Sequence, residues 1–68
     1  MTAFVRDGLT HLLQMVDAHI RSNEEDLIGT TDANDVRDLN NALRELGHER
    51  RALRRAMSDL GIEEPRRS

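Results

Sequence analysis

The sequence predicts an all-α fold, an antiparallel helical hairpin, on three observations. Apolar residues recur at steps of three and four along two long stretches, which is the spacing of one helix face. A Gly29-Thr30-Thr31 break separates the stretches. The apolar palette is Leu, Val, Ile, Met and Ala with Phe4 as the single aromatic, and such side chains suit helix-on-helix packing.

The first helix is expected from Thr2, a plausible N-cap, to about Ser22. Its stripe runs Val5, Leu9, Leu12, Leu13, Val16 and Ile20, and Phe4 widens it at the start. Gly8 interrupts the stripe at a cost of about 1 kcal/mol relative to alanine, and makes room for a neighbouring helix. Ser22-Asn23-Glu24-Glu25 has the spacing of a capping box, in which side chains and backbone donors satisfy one another. A bend or a short separate helix over 23–28 is therefore expected, with a straight run to Ile28 as the alternative. Leu27 continues the stripe, and Gly29 is a suitable C-terminal stop.

Thr31, followed by Asp32 and Asp35, reads as the N-cap of a long second helix with acids in its first turn. That helix runs to about Leu60 and stops at Gly61, with Pro65 just beyond. Val36, Leu39, Leu43, Leu46, Arg50, Leu53, Met57 and Leu60 occupy its heptad a and d positions. A charged residue such as Arg50 at an a position trades stability for register. Turning once between residues 22 and 31 would set Arg50 beside Asp7 and Gly8. Gly47 falls at an e position, so packing against a neighbour must offset its low helix propensity.

One domain is expected, residues 1–62, with a polar tail over 63–68. Sixty-eight residues bury only a modest core, and without cysteine neither disulfides nor thiolate metal sites can supplement it. Association is the remaining device. A first helix ending at Ser22 leaves part of the second uncovered, so two hairpins pairing into a bundle, as a dimer or tetramer, are the expected remedy. The eight heptad residues are the candidate self-association seam.

The net charge is −3, divided into −5 over residues 1–35 and +2 over 36–68. Oppositely charged halves attract one another within a hairpin or between copies. All ten basic residues are arginine, which reflects either a GC-rich coding sequence or a use for the guanidinium fork against carboxylate or phosphate. Arg44, Arg51, Arg54 and Arg55 are the candidate anion-binding set, with few acids at helical spacing to neutralise them; Arg37, Arg44 and Arg51 also form a stripe at spacing seven. Against ordinary DNA binding stand the acidic total, the scarcity of aromatics for base stacking and the lack of a helix-turn-helix turn.

Asp7, His11 and Met15 share a helix face, and His19 and His48 stand apart; the single Glu-x-x-His spacing, Glu45 to His48, has no second such pair to complete a metal set, so no metal or other cofactor is expected. Asp32-Ala33-Asn34-Asp35 matches the opening of a calcium loop but lacks its glycine and closing glutamate. Neither a nucleophile with a base nor a glycine-rich phosphate loop is present, and the acids Glu24, Glu25 and Asp26 form an ordinary charged turn. An enzyme is not expected. No apolar run approaches the roughly 18 residues of a membrane span, and the N-terminus has no signal-peptide pattern, so the expected location is the cytoplasm. The function expected is that of a non-catalytic helical interaction protein, a prokaryote- or phage-encoded regulator or inhibitor acting on a protein partner. The alternative is an oligomeric binder of a nucleotide, nucleic acid or other phosphate ligand.

Overall fold

A computed structural model describes residues 3–63. Two helices, α1 (Ala3–Gly29) and α2 (Ala33–Asp59), pack against each other as a hairpin; the described residues hold no strand. Each helix has 27 residues and spans about 40 Å, in a molecule whose longest extent is 46 Å. Thr2 lies outside the described residues. Of the polar tail only Glu63 is described, and it is exposed.

α1 runs unbroken through Ser22, which corrects the expected bend there. A continuous helix keeps every backbone bond that a capping box would otherwise replace, and half-buried Ile20, Asn23 and Leu27 carry the packed face straight across the site. Gly29 is the last residue of α1, but among the described residues only Gly61 has positive φ among the glycines. Gly29 therefore does not end the helix by a left-handed turn.

Three residues, Thr30, Thr31 and Asp32, make the connection. Asp32, not Thr31, caps α2. Its backbone is extended, with ψ at 123°, and its Oδ1 accepts from the Asn34 N–H at 2.8 Å. The Val36 N–H donates to the Asp32 carbonyl at 2.9 Å, the first turn of the helix. Thr30 Oγ1 accepts from the Asp32 N–H at 3.3 Å and holds the cap in place. Aspartate is also the better N-cap of the two.

The other end of α2 closes on itself. Leu60 is the C-cap, Gly61 takes φ +74°, the Gly61 N–H donates to the Ser58 carbonyl at 3.1 Å, and the Ile62 N–H donates to the Met57 carbonyl at 2.8 Å. This pair of reversed bonds satisfies carbonyls the helix leaves orphaned, and the motif carries an apolar contact across the cap. Here that contact is Ile62 with Met57, which together with Leu13 form the buried cluster, Leu9 and Leu53 packing against it. Val16 is buried too. Leu60, expected in the seam, is 48% exposed; the cap turns the chain so that Ile62 fills the core in its place.

The heptad of α2 is first of all an intramolecular surface. Val36, Leu39, Leu43, Leu46, Arg50 and Leu53 are half-buried and Met57 is 1% exposed, with α1 as the only element beside them among the described residues. Because α1 is as long as α2, the expected uncovered stretch of seam does not arise. The longer α1 also moves the register: Arg50 meets Asp17, Nη1 to Oδ1 at 3.5 Å, while Asp7 lies 3.5 Å from Arg6. The expected placement of Arg50 beside Asp7 and Gly8 is overturned, since the turn lies at residues 30–32. A Cβ built on Gly8 meets nothing within 4 Å, so α2 does not need that glycine.

Candidate interaction surfaces

The stripe of α1 divides in two. Leu9, Leu13, Val16 and Ile20 turn inward, whereas Phe4, Val5, Leu12 and Met15 are exposed, Phe4 at 86%. At 3.6 residues per turn, positions 5, 8, 12 and 15 lie roughly a quarter turn round the helix from 9, 13, 16 and 20. They follow the three-four-three step of a heptad. α1 thus carries an inner seam that faces α2 and an outer seam that faces solvent.

The exposed residues of α2 carry five arginines and five acids, and the arginines gather on one face. Arg51 and Arg55 line an open groove with His48, Ala52, Ala56 and Asp59, a space of about 480 Å³. Residues one heptad apart recur on the same side of a helix, so exposed Arg44 and Arg37 extend this face toward the turn. Arg54 does not join Arg51 and Arg55 in the groove lining and already has a partner in the fold. Two members of the expected anion set therefore meet, one extends the line and one diverges. Sequence reasoning did not find that His48 and Asp59 share the groove; heptad spacing between 48, 52, 55 and 59 was the available signal.

Arg50 serves elsewhere. Its side chain and that of Asp17 are 38% and 22% exposed, and a pair so placed contributes at most about 1 kcal/mol. Its value is in register, since any slip separates the one charge on the α2 seam from its carboxylate. Asp17 was the missing partner in the sequence reading, and it could be located only once the turn was known.

At the turn end, Asp26, Thr30, Asp35, Asp38 and Leu39 line a shallow recess of about 350 Å³. Among the described residues no group of three or more His, Cys, Asp or Glu is gathered to hold a metal ion, and His11, His19 and His48 are exposed. Nor is any helix of the described residues long and apolar enough to cross a membrane.

Among the described residues, an apolar seam on α1, an arginine face on α2 and acids at the turn are the surfaces that stand out. No protein-family model, curated protein or solved structure matches the chain.

Proposed function

We propose that this chain is a non-catalytic helical interaction protein that associates with itself and presents a charged helix face to a partner protein. The observation that carries this reading is the run of exposed large apolar side chains along one side of α1. Single exposed apolar residues are ordinary, but a contiguous series at helical spacing marks a contact surface. The arginine face supports a partner rich in carboxylates, which the guanidinium fork binds in bidentate fashion. Light scattering over a concentration series, with helicity followed by circular dichroism, tests the self-association. The expected result is a mass that rises above the 7.8 kDa chain with helical content retained. A helical monomer throughout would restrict the function to partner binding.

A second reading rests on the groove shared by Arg51, Arg55 and His48: an oligomer that binds a phosphate-bearing ligand. The Asp59 carboxylate in the same wall opposes an anion, which makes a mixed protein surface the better occupant. Nucleotides added at low and moderate salt would raise the melting temperature if a specific phosphate site existed. The expected shift is none.

A further inference from the structure

We infer that the arginine row of α2, formed by Arg37, Arg44, Arg51 and Arg55, is a docking track for an α-helix of another protein that carries carboxylates at seven-residue spacing. This rests on the reading of the chain as one that presents a charged face to a partner protein, and it specifies the shape of that partner.

The first argument is charge segregation. At about 3.6 residues per turn the four arginines fall within about 40° of one another around α2, and Asp38, Glu45 and Glu49 form a second row about a third of a turn away. Side chains meet along a helix at three and four residues, whereas adjacent residues do not face each other. No carboxylate stands three or four residues from Arg37, Arg44 or Arg51, where Asn40, Asn41 and His48 are found instead; Arg55 differs in having Asp59. The fold does not neutralise the row either. All four arginines are exposed, and among the described residues none of them has an ion pair, whereas Arg6 and Arg50 do and Arg54 has a partner in the fold. Their guanidinium forks are left to carboxylates from outside the chain, which they bind in bidentate fashion.

The second argument is spacing. Seven residues of helix rise about 10.5 Å, so Arg37, Arg44 and Arg51 stand at equal steps along nearly one line. A second helix lying along α2 meets those steps when its acids recur every seventh residue. An extended chain covers the same distance in about three residues, and side chains at that interval point to opposite faces. Ala52 and Ala56 line the groove together with Arg51 and Arg55, and small side chains at a contact let two helix axes come close.

The third argument is the acid row itself. A nucleic acid strand carries phosphate along its whole length and would set some of it against Asp38, Glu45 and Glu49, a juxtaposition of like charges. A helix confines its carboxylates to one side and leaves the neighbouring side neutral or basic.

The test is an NMR titration of the isotope-labelled full chain at low salt with three probes. One is a stapled helical peptide with glutamate at every seventh position over four heptads. The second has the same composition and staple, with the glutamates distributed around the helix. The third is an oligothymidylate of equal charge. The first peptide is expected to shift the amides of Arg44, Arg51 and Arg55 and to bind at least about threefold more tightly than the second. The double variant Arg44→Gln with Arg51→Gln should lose that preference, whereas Arg21→Gln, an exposed position on α1, should keep it. Equal affinity for the two peptides, with shifts confined to the arginine row, would overturn the helical spacing and leave an acidic protein partner standing. Tighter binding of the oligothymidylate, or no binding of either peptide, would remove both the track and the partner reading of this face. Shifts at the same amides on concentrating the chain alone would give the row to a second copy, whose Asp38 and Glu45 share the spacing, and would overturn the proposal.

Discussion

The two ends of the hairpin are built from the same kinds of side chain and packed to different degrees. At the end bearing the chain termini, Leu13, Met57 and Ile62 form a sealed cluster. Toward the turn, Ile20, Leu27, Val36, Leu39, Leu43 and Leu46 are all only half-buried. Two cylinders in contact cover each other along a line and leave the flanks of every side chain wet; a third segment is needed to close the flank. The capped terminus of α2 supplies one, by folding Ile62 back over Met57. The three-residue turn has no apolar side chain to do the same.

Substitution at matched positions measures this contrast. Met57→Ala removes the most buried side chain of the described residues and is expected to cost about 3 kcal/mol. Leu39→Ala, on the same seam at the turn end, is expected to cost about half as much, since its transfer from water is incomplete. Urea melts at one fixed protein concentration check both; equal losses would mean that the two ends are equally closed. A smaller effect isolates the cap. Gly61→Ala forces a side chain into the left-handed region at φ +74°, at about 1 kcal/mol, with no steric clash to add because nothing lies within 4 Å of the new Cβ. A loss well above that figure would show that Ile62 is released together with the cap.

The hairpin and the face of α2 that packs were legible in the sequence, because a heptad sustained from Val36 to Met57 marks one packing face; that this face meets α1 of the same chain was not, since the same pattern also reads as a seam between copies. What was lost was information that depends on the partner element. Ser22-x-x-Glu25 is a good local cap, yet continuity wins there because Leu27 still has α2 to pack on, and that depends on where the turn falls. The same ambiguity moved Arg50 from Asp7 to Asp17. The α1 stripe from Val5 to Ile20 was read as one face; it is two, and only the direction of α2 tells Leu13 from Leu12. Ile62 was signalled by Leu-Gly-Ile following Met57, an apolar residue just past a left-handed glycine, but the heptad drew Leu60 into its place. Of the four arginines only Arg51 and Arg55 line one groove, because position along the chain indicates proximity and says less about direction around the helix.

The location of the sealed cluster has a kinetic consequence. Leu13 and Met57 are separated by most of the chain, so the contact with the greatest reward closes the longest loop and carries the largest closure entropy. The turn, where closure costs least, brings together the weakest packing. If folding zips upward from Thr30, it reaches its tightest contacts last, and the expectation is that they form after the rate-limiting step. Stabilising changes near Met57 would then lengthen the lifetime of the folded chain while leaving the speed of its formation almost untouched.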